Sequence, residues 1–435
     1  MQLETVKSIL LWILVGFSLL LSFGLWNYKP EVENLPEDQY EDRVDLGGHE
    51  ETIQSLIEPK SIIFQNGQNY YSFSSPNDSK FLYQDMRTWV LYDFWTGEAN
   101  GRPSENSQIE ITFPDVIPVT MLTSLFTFNE DPYLSDWSFK RLFITFNSDA
   151  TSLNLTFLSQ NGNKQATAVV NNSKKYDQLW QRLTTLDGLR EYVRFDGAQA
   201  PIYIPKYQME MASKSVAVQE ISSNQMVNAL FRNPDIVSPN QLNENEVYFT
   251  DSARGIMRVY QNRRTMEFQN PLQSPFERME PEALLELSKS NINDHMGWTD
   301  EYNLMDIVES ANTIRYQLFY DGYPVYGSNY ASVIEQQYRI QELNQPNLYN
   351  RPLFSLENLL GKESTKLPSG NDVIYFLKND KTYKPEHVED IRVGYDLTYQ
   401  SDADAITLEP AWFIKYSGSW QEMRFNDMMN QKGGS

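Results

Sequence analysis

Residues 8 to 26, SILLWILVGFSLLLSFGLW, carry no charged side chain and are mostly Leu, Ile, Val, Phe and Trp. As a helix rising about 1.5 Å per residue, this stretch covers roughly 28 Å, which matches the hydrocarbon core of a bilayer. No comparable run occurs elsewhere in the 435 residues. The pattern therefore predicts one membrane helix followed by a large water-facing remainder. Signal peptidase needs small residues at the third and first positions before its cut. Ser22-Phe23-Gly24 offers them only inside the apolar run, so the segment is expected to stay as an anchor.

Charge sets the expected orientation. Lys7 and the α-amine stand against Glu4 on one side, and Lys29 is followed by Glu31, Glu33, Glu37 and Asp38 on the other. This places residues 1–7 as a cytoplasmic stub and the bulk of the chain outside the cytoplasmic membrane. Within the span, Leu11, Val15, Ser18, Ser22 and Leu25 recur at spacings of four and three and share one helical face. Ser18 and Ser22 form a small-xxx-small pair, which lets a second helix approach closely. This face is the candidate interaction site.

Composition limits what the remainder does. Lys and Arg total 36 against 58 Asp and Glu, a net charge of −22, which repels the phosphate backbone of nucleic acids. There is no cysteine, which excludes disulfides, a thiolate nucleophile, Cys-ligated zinc and iron–sulfur clusters. Only His49, His295 and His387 are left for imidazole chemistry. Apolar residues make up 40% of the chain and aromatics 13%, enough for a substantial core.

Residues 27–52 read as an acidic tether, with nine Asp or Glu and one Arg between Glu31 and Glu51, and with Pro36, Gly47 and Gly48. An amino-terminal α+β domain is expected over 53–200. It begins with a hairpin, SIIFQ and YYSF around Asn66-Gly67, followed by a helical spacing over 79–95. Strands are expected at 109–113, 139–146, 153–159 and 164–170, and a helix over 173–188. A central α+β domain follows over 201–274, with a helix at 224–232, a loop at 233–246 and strands at 247–251, 256–261 and 265–270. The last domain, 275–430, reads as a helix over 281–294, a strand pair turning at Asp321-Gly322, a helix over 354–361 and strands at 372–377, 391–399 and 410–416. The fold class is α+β: a single-pass helix and about three domains of mixed helix and antiparallel sheet.

The chain lacks H-E-x-x-H, a G-x-x-x-x-G-K phosphate loop and a G-x-S-x-G elbow. His295 lies near Asp294, Asp300 and Glu301, a grouping that could hold a metal or a general base, although a histidine in such surroundings is more often a packing contact. Asp402 and Asp404 open like a calcium loop but lack its glycine. LPSGN at 367–371 reads as a hairpin turn. Trp89, Tyr92, Phe94 and Trp95 could stack on sugars, but their spacing suits a core. No catalytic, cofactor-binding or metal-ligating residue is nominated. The alternative function is an extracellular cell-wall hydrolase or a wall-polymer-binding protein.

Several segments in fixed order carry a resemblance. They are LWNYKP (25–30), NALFRNPDIV (228–237), YFTDSARGIMRV (248–259), HMGWTDEYNL (295–304), GYPVYG (322–327), NRPLF (350–354), LPSG (367–370), VGYDL (393–397) and LEPAWFIKYSGSW (408–420). The whole chain resembles the YycH (WalH) family of Gram-positive bacteria, with residues 53–200 the least distinctive part. The resemblance implies an anchored extracytoplasmic protein that partners YycI. With YycI it modulates the sensor histidine kinase YycG (WalK), which governs cell-wall homeostasis. It implies no enzyme and no cofactor, a last domain similar to YycI, and a membrane helix in contact with the kinase helices.

Overall fold

Alternating apolar and polar residues in SIIFQNGQNYYSF form a tight hairpin, and the pairing of Asn66 with Asn69 leaves Gly67 and Gln68 as its two central residues. Gly67 sits at φ 63°, where a side chain is disfavoured. The hairpin belongs to a computed structural model that describes residues 44–425, apart from 199, 252–254, 261, 263, 272–275, 341–344, 381 and 401–402. The expected span 8–26, with the face Leu11, Val15, Ser18, Ser22 and Leu25, lies outside the described residues. Among the described residues no helix is long and apolar enough to cross a membrane. The fold is mixed α+β and dominated by sheet.

The first sheet has ten strands: β1 (Ser61–Asn66), β2 (Asn69–Phe73), β3 (Val90–Glu98), β4 (Ser107–Pro118), β5 (Thr127–Phe128), β6 (Ser138–Phe146), β7 (Leu153–Ser159), β8 (Lys164–Val170), β9 (Leu189–Asp196) and β10 (Pro201–Pro205). Their spatial order is β10-β9-β2-β1-β4-β6-β7-β8-β3-β5, antiparallel except for β3 with β5. Four short or amphipathic helices accompany it, α1 (Ile53–Leu56), α2 (Pro76–Met86), α3 (Leu122–Leu125) and α4 (Ser173–Thr185). Phe113, Phe139, Phe157, Phe126 and Tyr83 form a chain of edge-to-face rings with centroids 5.2 to 6.5 Å apart, which fixes how the sheet face packs. On α4, Tyr176, Leu179 and Leu183 fall on one buried stripe, and the Asn172 side chain accepts the Lys175 N–H to cap its start.

The second sheet has fourteen strands: β11 (Met209–Glu220), β12 (Ser238–Asn243), β13 (Glu246–Thr250), β14 (Ile256–Tyr260), β15 (Thr265–Gln269), β16 (Tyr302–Val308), β17 (Thr313–Tyr320), β18 (Tyr323–Gly327), β19 (Val333–Gln337), β20 (Leu348–Pro352), β21 (Phe354–Leu367), β22 (Val388–Gln400), β23 (Ala405–Tyr416) and β24 (Ser419–Glu422). Its path is β12-β13-β14-β15-β20-β19-β17-β18-β22-β23-β11-β21, with β16 on β17 and β24 on β23. The helices here are α5 (Ser223–Leu230), α6 (Pro281–Asn293) and α7 (Gly370–Asn379). β15 pairs with β20, with Phe268 opposite Tyr349. The boundary expected between 274 and 275 therefore falls inside one continuous sheet. The residues from Val44 onward form a single compact unit.

Four segments differ from the sequence-based expectation, each for a local physical reason. The helix expected over 79–95 stops at Met86. Trp89 is buried next to the turn, and Tyr92, Phe94 and Trp95 lie on β3, where residues alternate between faces. Residues 372–377, expected as a strand, lie in α7. Ser369 Oγ accepts the Asp372 N–H at 3.1 Å and the Asp372 carboxylate accepts the Ser369 N–H at 3.2 Å, a capping box that starts the helix. This box also makes LPSGN a helix start instead of a hairpin turn. Residues 354–361, expected as a helix, lie in β21, because pairing with β11 over its length overrides a helical leucine spacing. The expected loop at 233–246 contains β12, an exposed edge strand carrying Pro239.

Candidate functional site

By its acidic and glycine-rich composition the stretch 27–52 reads as a solvated tether. The part described, from Val44 onward, is docked instead. Leu46 is buried, and its N–H donates to the His295 carbonyl at 3.1 Å. The Gly48 N–H donates to the Met296 carbonyl and the His49 N–H to the Trp298 carbonyl, each at 3.1 Å. A β-carbon at Gly48 would overlap the carbonyl oxygens of Trp298 and Met296, so only glycine lets the two backbones approach this closely. Asn293 at the end of α6 closes the clamp. Its Nδ2 donates to the Glu51 carbonyl and its Oδ1 accepts the Glu51 N–H, both at 2.9 Å, while Oδ1 also takes the Trp298 indole N–H at 2.7 Å. From α5, Gln225 Nε2 donates to the Asp45 carbonyl at 2.8 Å. Thr52 and Ser55 then form the capping box that starts α1.

Beneath this entry segment two distant motifs, HMGWTDEYNL and NRPLF, share one buried polar cluster. Trp298 is fully buried, edge-on to Tyr316 with centroids 4.8 Å apart. His295 Nε2 and the Tyr349 hydroxyl are 3.1 Å apart. Burial first, and the nearby Arg351 guanidinium second, push the His295 imidazole down to about 3, so it is neutral at physiological pH. Arg351 is itself fully buried. It donates to the Pro352 carbonyl at 3.2 Å and to the hydroxyls of Tyr349 and Thr299, both at 3.3 Å. Asp300 accepts the Leu356 N–H at 2.8 Å and the Thr299 hydroxyl at 3.2 Å. Burial raises its carboxyl to about 7 against those two hydrogen bonds and Arg351.

The grouping around His295 does not converge on a common point. Glu301 turns to Lys80 at 2.8 Å, and Asp294 sits exposed at the end of α6. Among the described residues no group of three His, Asp or Glu side chains is placed to hold a metal ion. Asp404 is paired with Arg264 at 3.0 Å, and Asp402 lies outside the described residues. The entry clamp escapes sequence reasoning because Gly47-Gly48 reads as flexibility, whereas Gly48 marks a close backbone approach. Leu46, an isolated apolar residue among acids, is the available signal.

A two-sheet α+β unit with a docked amino-terminal segment and a buried polar cluster, preceded in the sequence by a membrane-helix pattern, defines the class. Family models described as the YycH protein N-terminal domain and C-terminal domain match residues 4–187 and 199–431. The chain therefore belongs to the YycH family. It is 22% identical over 462 residues to the Bacillus subtilis (strain 168) protein named two-component system WalR/WalK regulatory protein YycH, an alignment covering 100% of this chain and 99% of that one. The crystal structure of YycH from Bacillus subtilis superposes with a TM-score of 0.72 at 20% identity, covering 88% of this chain and 100% of that chain.

Proposed function

We propose that this protein is a non-catalytic, membrane-anchored extracytoplasmic regulator that acts with YycI on the sensor histidine kinase YycG/WalK, and so on cell-wall homeostasis. End-to-end membership of the YycH family carries this reading, together with the regulatory name of the Bacillus subtilis relative. In this reading residues 8–26 cross the cytoplasmic membrane with the amino terminus inside. Leu11, Val15, Ser18, Ser22 and Leu25 face the kinase helices, and the carboxy-terminal part is YycI-like.

A helix packed on a kinase span biases a two-state equilibrium only by binding one state more tightly. A coupling of about 1–3 kcal/mol alters activity several-fold or more. Three backbone hydrogen bonds and the buried Leu46 hold residues 46–49 on the segment 295–298 that follows α6.

The test is affinity capture of the full-length protein from native membranes in mild detergent, beside a version carrying an unrelated membrane helix. Recovery of WalK and YycI with the native helix, and their loss on the swap, is the expected result. Absence of both with the native helix refutes the reading.

A further inference from the structure

The two sheets adjoin where β4 lies against β16 and β10 against β22, and between them is a cleft of about 290 Å³. Seven Lys or Arg and five Asp or Glu line it, a local excess of positive charge in a chain whose net charge is −22. The pairing within it is incomplete. Asp390, buried on β22, takes Lys60 Nζ at 2.6 Å and Arg392 Nε at 2.7 Å, so one carboxylate serves two cations. Lys415 stands directly across from Asp390 on β23, with Glu389 its nearest ion partner at 3.8 Å.

Lys140, on β6 of the other sheet, makes no ion pair among the described residues; the attractive fields of Asp115 and Asp390 act on it ahead of the repulsive ones of Lys415 and Arg392. Asp115 and Asp306 also hold other groups. Asp115 accepts the Ile307 N–H at 3.0 Å, and Asp306 pairs with Arg315 at 3.2 Å. Burial lowers the Lys60 ammonium to about 8 and holds Lys140 below the ordinary lysine range. Half-buried cations that share their anions are partly uncompensated, and a ligand carrying several negatively charged oxygens offsets that cost.

We propose that this cleft binds a tetrahedral oxyanion of the phosphate class, received by Lys60 and Lys140 from the first sheet and by Arg392 and Lys415 from the second. Four donors arriving from two sheets suit a ligand with acceptors on every side better than a planar carboxylate. Bound there, the anion bridges the two sheets. The inference stands on the cleft alone and does not depend on the partner assignment above.

The test is equilibrium dialysis of the full chain in mild detergent with labelled inorganic phosphate. Sodium chloride and sodium acetate at matched ionic strength serve as competitors, and glycerol phosphate forms a second arm. The expected result is saturable binding of one phosphate per chain, resisting acetate and weakened about tenfold in Lys140→Gln, the loss of one charge-assisted contact. Lys140→Arg should restore binding. Because Lys140 has no ion partner among the described residues, its variants are expected to keep the wild-type unfolding midpoint, which separates lost binding from lost folding. Tighter binding of glycerol phosphate assigns a phosphoester ligand, and tighter binding of inorganic phosphate assigns the free ion; both support the site. Absence of saturable binding, equal competition by acetate, or unchanged binding in Lys140→Gln overturns it.

Discussion

Gly48→Ala is the sharpest probe of the docked entry segment. The three amides of Leu46, Gly48 and His49 each hold a carbonyl of 295–298 at 3.1 Å, and Leu46 is buried. Each such bond contributes about 1 kcal/mol net, and burying the leucine about 1.5–3 kcal/mol. A β-carbon at position 48 collides with backbone oxygens of Met296 and Trp298, which cannot rotate away as a side chain could. Loss of about 3 kcal/mol from the docked state corresponds to an opening equilibrium shifted by roughly a hundredfold. Hydrogen exchange on the full-length protein reads this directly. The amides of residues 46, 48 and 49 should exchange faster by that factor in the variant, while those of β22 and β23 keep their protection. Gly47→Ala is the control. Gly47 lies at φ 84° with no atom within 4 Å of where a β-carbon would stand, so the substitution incurs only backbone strain of about 1 kcal/mol. If Gly48→Ala leaves these amides as protected as in wild type, or affects them no more than Gly47→Ala does, the steric argument fails.

The buried cluster predicts opposing pH dependences. Asp300, raised from 3.8 to about 7, adds stability that is full below pH 3.8 and is lost as pH rises through 7. His295, lowered from 6.5 to about 3, adds stability that is full above pH 6.5 and is lost as pH falls towards 3. The two slopes offset each other between roughly pH 4 and 6.5, so Asp300→Asn should lose stability on acidification more steeply than wild type; parallel denaturation curves across that range would sink the assignment. Asp390→Asn strands Lys60 and Arg392 in the cleft and should cost about 3–5 kcal/mol in urea unfolding, against about 0.5 kcal/mol for an exposed surface change. Phe139→Ala removes the ring joining Phe113 to Phe157, and a loss of about 3–5 kcal/mol is expected by the same assay. Under the proposed function, Ser18→Ile combined with Ser22→Ile weakens capture of the kinase without changing the unfolding of the sheets; unaltered capture removes that face from the interaction.

Elements whose signal is local were legible in the sequence. LNLTFLS and KQATAVV carry β-favouring residues bounded by a turn, and β7 and β8 occupy those residues. The stretch SKKYDQLWQRLTT has its cap at Asn172 and its apolar stripe at helical spacing, and α4 follows. The order of family segments along the chain was also legible, because it is a linear property. Tertiary structure alone decided which strands join which sheet, since pairing such as Met209 with Leu367 across more than 150 residues leaves no mark in either segment. It decided the sense of ambiguous apolar runs: 372–377 became helix because of its cap, and 354–361 became strand because β11 lay beside it. It also turned an acidic, glycine-rich stretch into a docked segment and brought His295, Asp300 and Arg351 into one cluster, because burial and close backbone approach depend on residues far apart in the chain.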